Sequence, residues 1–437
     1  MVSKQAWRKV FIKNVAQVFD GPHATPKTVS EGPVFLGINS LDNGRLNLAN
    51  TRHVTEEDYL LWTRRVTPQA NDIVFSYETR IGEAAIIPEG LKCCLGRRMG
   101  LVRVDSNQLD PRFFLYSYLS PQYQEFLRSK KIHGSTVERL ALTEFPNFPL
   151  AIPDISEQRE IINILSCLDN KIELNQQMNK TLEAIARTLF KSWFIDFDPV
   201  KARAEGRKPN GMDDATATLF PSRFVESELG MIPEGWSTAP FASLIQLIGG
   251  GTPKTTIAEY WNGTVPWFSV VDAPVEGDVF VIATEKNITE TGLKNSSARL
   301  LPIGTTIISA RGTVGRIALV GVPMAMNQSC YGIRGLDGIG DAFTYFATKS
   351  ILSELKIRAH GSVFDTITRE TFGSVLAIKP SLDSINIFEQ QVASLFKRIL
   401  SNLQATRNLM AIRDLLLPRL ISGKLRIETQ NDIESVA

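Results

Sequence analysis

A chain of 437 residues with 43% hydrophobic and 22% charged side chains is long enough for two or three domains, each with its own apolar core. No run of about 18 apolar residues is present to cross a bilayer, and the segment Met1 to Lys13 alternates charged and apolar residues, so the expectation is a cytoplasmic protein without a membrane partner. The net charge of +2, taken over the whole chain, argues neither for nor against nucleic acid, and Cys93, Cys94, Cys167 and Cys330 lack C-x-x-C spacing, which argues against a zinc site or a disulfide framework and for reduced, mostly core thiols.

Taken in chain order, residues 1–155 read as mixed α/β. Asp72 to Ser76 and Gly82 to Ile87 are strand-like apolar runs bounded by turn formers, and Phe113 to Lys131 has helical character. A long helix follows over 156–195. Its apolar positions alternate at spacings of four and three: Ile161, Leu165, Leu168, Ile172, Asn175, Asn179, Leu182, Ala186, Leu189 and Trp193, the pattern of a coiled-coil seam. Residues 196–229 are rich in Pro, Gly and charge and suit an exposed connector. The span 230–383 then repeats the first module, with strand-like runs at Thr305 to Ser309 and Gly315 to Val320 and a helix from about Ala342 to Arg358. A second long helix covers 384–423 and a tail 424–437 ends the chain. Its seam is Phe388, Val392, Leu395, Ile399, Asn402, Thr406, Leu409, Arg413, Leu416 and Leu420, each 227 positions beyond a member of the first seam. Pro418 removes one backbone donor and is expected to end or kink this helix.

The same offset joins the loops. Thr25-Pro26-Lys27-Thr28 returns as Thr252-Pro253-Lys254-Thr255, and His133-Gly134-Ser135 as His360-Gly361-Ser362. A period of this length is a duplicated domain rather than a solenoid repeat. The expected fold is therefore α/β (α+β): two repeated globular recognition domains separated by two long helices that pair as an antiparallel coiled coil with pseudo-two-fold symmetry. Asn175 and Asn179 in one seam match Asn402 and Thr406 in the other; buried polar side chains there fix helix register, whereas on a twisted seam they face solvent.

Catalytic signatures are missing. Gly249-Gly250-Gly251-Thr252-Pro253-Lys254 lacks the spacing of a phosphate-binding loop, there is no H-E-x-x-H, and the four histidines are scattered. The amino-methylating Asn-Pro-Pro-aromatic tetrapeptide is absent too. Pro153-Asp154 followed by Asp169-Asn170-Lys171 fits a loose nuclease pattern, but Asp169 and Lys171 sit on the seam helix and read as a solvated charged face.

Residues able to meet DNA lie in the repeated loops. Ser76, Thr79 and Arg80 in the first module and Ser309, Arg311, Thr313 and Arg316 in the second occupy glycine-containing turns, where hydroxyls, backbone amides and arginine can approach a phosphate or a guanine edge. Lys27, Thr28, His133 and Ser135, with Lys254, Thr255, His360 and Ser362, are candidates of the same kind, and plain turns explain the same residues. Where the modules diverge, Arg45, Arg64, Arg65, Arg97 and Arg98 in one and Asn327 and Gln328 in the other are candidates for discriminating unlike half-sites. None is a metal ligand or a catalytic group.

Three phrases are long enough to identify a relationship: Asp169-Asn170-Lys171-Ile172-Glu173-Leu174-Asn175, the run Leu189-Phe190-Lys191-Ser192-Trp193-Phe194-Ile195-Asp196-Phe197-Asp198-Pro199-Val200, and Arg413-Asp414-Leu415-Leu416-Leu417-Pro418-Arg419-Leu420-Ile421-Ser422-Gly423-Lys424-Leu425. They resemble the specificity subunit of type I restriction-modification systems, and the module-helix-module-helix order extends the likeness over essentially the whole chain. The resemblance implies a non-catalytic subunit whose two target recognition domains each read one half of a bipartite, asymmetric duplex DNA site. It implies two adenine methyltransferase subunits and restriction/translocase subunits as partners, and places S-adenosylmethionine, ATP and Mg on those partners, with no cofactor in this chain. Helices of roughly 35 residues at about 1.5 Å each span about 50 Å, enough to separate half-sites by several base pairs. A coiled-coil scaffold that binds only protein is the alternative.

Overall fold

A computed structural model describes residues 7–22, 25–49, 51–133, 137–274, 278–359 and 366–427. They form two compact units, one made of the described residues within Met1–Lys171 and Leu409–Ala437, the other of those within Ile172–Asn408. The division cuts both long helices, Ile155–Phe194 and Leu382–Ile421.

The two units share one topology. In the first, a four-stranded antiparallel sheet has the order Ala16–Asp20, Met99–Val104, Ile73–Ser76, Ala84–Ile86. In the second the order is Ile245–Gly249, Cys330–Gly335, Thr306–Ser309, Ile317–Val320, with Phe280–Val281 added in parallel at the edge. Each unit also has a three-stranded sheet whose long central strand is bulged and has one parallel neighbour: Val29–Leu36 beside Cys93–Leu95, and Trp261–Phe268 beside Ala325–Met326. Each unit also has an equivalent two-stranded ribbon, Arg8–Phe11 with Pro149–Ile152 and Ser237–Pro240 with Leu376–Lys379. The repeat seen in the sequence is thus a repeat of fold.

The helical span expected at Phe113 to Lys131 is made of two helices, Pro111–Leu119 and Pro121–Ser129. Pro121 cannot donate to the preceding turn, and Ser120 caps the second helix by accepting the amide of Tyr123. The second unit breaks at the matching place without a proline, into Asp341–Ser350 and Leu352–Ala359. The long helices supply the partners for these helix starts. Fully buried Gln158 accepts the Asp110 amide at 2.9 Å and donates to the carbonyls of Gln108 and Pro153. In the second unit the Glu389 carboxylate accepts the amides of Phe343 at 2.7 Å and Ala342 at 3.4 Å, filling the space beside Gly340 that any Cβ would occupy.

Within the second unit the two long helices pair antiparallel through the polar quartet. Asn175 donates to Thr406 Oγ1 at 3.3 Å, Asn402 donates to Asn179 Oδ1 at 2.9 Å, and Asn179 donates to the Ile399 carbonyl at 3.4 Å. All four side chains are buried. Adding 227 to Asn175 and Asn179 gives Asn402 and Thr406, so each contact is the symmetry mate of the other, the property of an isologous interface. In the first unit the pairing continues through Asp169 and Arg413, 3.1 Å apart, and Leu416, Leu417, Leu420 and Ile421 close over Ile161 and Leu165.

Two expectations are corrected here. The helix does not end at Pro418; it runs to Ile421, because the apolar burial of Leu420 and Ile421 outweighs one missing hydrogen bond. The 196–229 stretch is not simply an exposed connector. It folds as two short helices, Asp198–Ala204 and Asp214–Thr218, and a hairpin, and buries Val200, Met212, Ala217 and Phe220 in the core of the second unit. Cys93, Cys94 and Cys330 are buried free thiols, which burial pushes up to about 12; Cys167 is free and exposed.

The polar quartet and Glu389 each lead to a measurable outcome. Asn402→Ala leaves the buried Asn179 Oδ1 without its donor and lowers the unfolding free energy by about 1–3 kcal/mol in a denaturant titration, whereas Leu at all four quartet positions raises the midpoint and loosens the register. Burial raises the Glu389 carboxyl above its ordinary 4.5 against the lowering effect of its two amide bonds. Its contribution to stability is therefore fullest below pH 4.5 and is lost as pH rises through the folded-state value. Glu389→Gln keeps the acceptor and removes that loss, so thermal melts show a higher Tm at neutral pH and little change in mild acid.

Candidate nucleic-acid interface

Hydrogen bonds between loops bring together segments far apart in sequence at one end of each central sheet. In the first unit the Gly21 amide donates to the Met99 carbonyl, Tyr77 to Arg98, and Leu140 to Tyr77. This joins the loop after Ala16–Asp20, the 96–98 turn, the 77–82 turn and the strand Glu138–Leu140. In the second unit Gly251 donates to Met326, Ala310 to Ser329, and Ile367 to Ala310, while the side chains of Thr252 and Gln328 are hydrogen bonded. The same four chain segments therefore meet in both. The Thr-Pro-Lys-Thr loops, the serine-to-glycine turns and the chain flanking the His-Gly-Ser turns all lie here.

The serine-to-glycine turns share their left-handed positions in both units, although their serine hydroxyls reach different carbonyls. Thr79 and Gly312 take left-handed φ values of 65° and 74°, and Gly82 and Gly315 take 99° and 86°. Ser76 Oγ donates to the Glu78 carbonyl at 2.6 Å, and Ser309 Oγ to the Thr313 carbonyl at 2.5 Å. Both serines are buried, so they hold the turn rather than face a ligand. A side chain from the second of the paired helices lies across each terminal glycine: the Gln124 amide donates to the Gly82 carbonyl at 3.0 Å, and the Lys356 side chain covers Gly315.

The candidate side chains divide by surroundings. Lys27, Thr28, Lys254 and Thr255 are exposed on their loops, as are Arg64 and Arg97. Arg80 is half-buried, donating to Glu83 at 3.0 Å and to the Ile38 carbonyl at 3.3 Å. Arg98 pairs with Glu78 at 2.8 Å and donates to Thr79 Oγ1. Arg65 lies near Asp20 at 3.6 Å, and the Tyr77 hydroxyl donates to the other oxygen of that carboxylate; burial first, then this neighbouring charge, raises the phenol. Arg311, Thr313 and Arg316 are exposed, and among the described residues neither arginine makes an ion pair. Gln328 is exposed beside Thr252, while Asn327 accepts the Ser329 amide and shapes the turn.

Other candidates stand apart. Arg45 donates to the Asp169 carbonyl on the long helix. Ser135, His360 and Ser362, and the side chain of His133, lie outside the described residues. Asp169 is not a solvated acid: it accepts the Tyr116 hydroxyl at 2.7 Å and Arg413 at 3.1 Å, and no group of three or more possible metal ligands occurs among the described residues. Gln124, Arg139 and Lys356 were not among the sequence candidates. Arg139 is placed by a bridge to Glu78, and the signal for it was its position just past the His-Gly-Ser turn.

A family model described as the type I restriction modification DNA specificity domain matches residues 4–184 and 233–410. The chain belongs to that family. It is 30% identical over 367 residues to the type I restriction enzyme HindI specificity subunit of Haemophilus influenzae, covering 74% of this chain and 80% of that one. It is 21% identical over 377 residues to the putative MjaX specificity subunit of Methanocaldococcus jannaschii, covering 82% and 79%. Among solved structures, the S subunit of the type I restriction-modification system from M. genitalium superposes with a TM-score of 0.60 at 15% identity, over 98% of this chain and 99% of that one, a likeness of fold. No helix of the described residues is long and apolar enough to cross a membrane.

Gly82 tests how tightly the first turn is built. A Cβ there would lie 2.1 Å from Gln124 Oε1, on a backbone that disfavours L side chains. Gly82→Ala is expected to cost about 1–3 kcal/mol and to speed amide exchange across residues 77–83; unchanged exchange would show that the Gln124 clasp does not hold the turn.

Proposed function

We propose that this chain is the DNA sequence-recognition subunit of a type I restriction-modification complex, non-catalytic in itself, with each unit reading one half of a bipartite, asymmetric duplex target. The observation that carries the reading is that the specificity-domain model matches twice, and that each match contains one of the two loop ends described above. Loop ends at equivalent places in the fold with different side chains suit half-sites that differ in base sequence. The long helices set the spacer between half-sites and dock two methyltransferase subunits, with restriction/translocase subunits joining through that assembly in the cytoplasm. S-adenosylmethionine, ATP and Mg act on those partners. The buried polar quartet supports this arrangement, since it fixes the register of the two long helices that set the spacer.

Co-expression with its methyltransferase partner, followed by sequencing of methylated adenines, is expected to give two short half-sites with a fixed gap. A complex that assembles but methylates without sequence preference would favour the protein scaffold instead. Removing one heptad from each helix is expected to shorten the accepted gap by about three base pairs, from about 10 Å less helix, with the half-sites unchanged; altered half-sites would sink the spacer role.

A further inference from the structure

The sheet registers fix which residues of the two loop ends are equivalent. Ser76 faces Met99 as Ser309 faces Cys330, and the left-handed pairs Thr79/Gly312 and Gly82/Gly315 lock the turns in step. Glu78 therefore corresponds to Arg311, Glu83 to Arg316, Arg80 to Thr313, Arg98 to Ser329 and Arg97 to Gln328. Asp20 ends its strand where Gly249 ends the equivalent one, and Gln124 clasps its turn where Lys356 lies across the other. The charge pattern inverts. In the first unit three acids stand among three arginines, and two of those arginines are ion-paired with glutamates of the same turn region. At the same seven positions the second unit has three cations and no acid, with Lys254 exposed on the adjoining loop.

A guanidinium already paired to a glutamate releases little counterion when it meets a phosphate, but it is held in one orientation, as a bidentate contact to a base edge requires. An unpaired exposed arginine or lysine has the opposite character: it neutralises phosphate and gives salt-dependent affinity without orientation. We propose that the two loop ends divide the binding of DNA, with Arg311, Arg316, Lys254 and Lys356 of the second unit gripping the phosphate backbone, and Glu83-held Arg80 and Glu78-held Arg98 of the first reading base edges. This rests on the recognition reading above and goes beyond it in assigning unlike roles to the two units.

Salt titrations of the full chain with its methyltransferase partner separate the roles. The probes are a labelled duplex of random sequence and one containing the mapped methylation site. Arg311→Ala/Arg316→Ala/Lys356→Ala is expected to reduce the slope of log affinity against log salt by about 0.9 for each phosphate no longer neutralised, on both duplexes. The charge-balanced variants Arg80→Gln/Glu83→Gln and Arg98→Gln/Glu78→Gln are expected to keep the slope and relax methylation preference at a base of one half-site. Glu78→Arg/Glu83→Arg, which copies the second unit's charges into the first, is expected to steepen the slope. If the triple variant binds with an unaltered slope, or the balanced variants flatten it as much, the division of roles is overturned. If the unaltered complex shows neither salt-dependent binding nor site preference, the recognition reading fails first and takes this one with it. Matching thermal melts confirm that the variants are folded.

Discussion

The buried quartet of Asn175, Asn179, Asn402 and Thr406 is the constraint from which the rest of the helix pairing follows. An amide sealed from water must find a partner or forfeit its hydration, and each of these finds one only in a single register. Sliding one helix by a heptad would set Asn175 against Ile399 or Arg413, and Asn179 against Leu395 or Leu409. An all-apolar seam would accept that slip at little cost. With register fixed, the other polar contacts of the helices fall into place, including Lys349 to Glu183 at 2.9 Å in the second unit and Asp169 to Arg413 in the first.

The symmetry that holds at the quartet is broken one layer further out. In the first unit Tyr116, Asp169 and Arg413 form a hydrogen-bonded layer. The residues 227 positions from Asp169 and Arg413 are Phe396 and Ala186, and in the second unit Phe396 packs on Phe346 at 6.0 Å within an apolar core. This difference bears on which helices pair. Two copies of the first helix joined in the same antiparallel register would place Asp169 opposite Ala186, and two copies of the second would place Arg413 opposite Phe396. The first arrangement deprives the half-buried Asp169 of its arginine, whereas in the second Arg413 keeps the adjacent Asp414, 2.8 Å away, so the loss of the ion pair weighs most against pairing two first helices.

Much of this was legible in the sequence because a coiled-coil seam is a one-dimensional pattern: its spacing of four and three survives any tertiary context, and a duplicated pattern is seen twice. Features governed by contacts distant in sequence were not legible in that way. The 196–229 stretch looked like linker since its Pro, Gly and charge outnumber its few apolar residues, yet Val200, Met212 and Phe220 each find a pocket in the second unit. Pro418 looked terminal until the burial of Leu420 and Ile421 was visible. The loop candidates are legible through their repetition, whereas the pairing of Glu83 with Arg80 and of Glu78 with Arg98 depends on how the folded turns place them.

The route of the chain also sets the order in which its parts are completed. The second unit is continuous, from Ile172 to Asn408, whereas the first lacks the Leu416, Leu417, Leu420 and Ile421 face of its core until the end of the chain arrives. Trp7 shows the dependence most plainly. It packs edge-on to Phe113 at 5.9 Å, donates to Glu157 at 3.2 Å, and is flanked by Gly423 and by the Arg426 guanidinium. Two of its four neighbours lie more than 400 positions away, the longest loop closure this polypeptide makes among its described residues. Closing so long a loop is costly in entropy and slow, so these contacts form after the local ones of the second unit. The first unit's core is therefore sealed only by the helix that carries the second unit's half of the seam, which couples completion of one recognition unit to synthesis of the other.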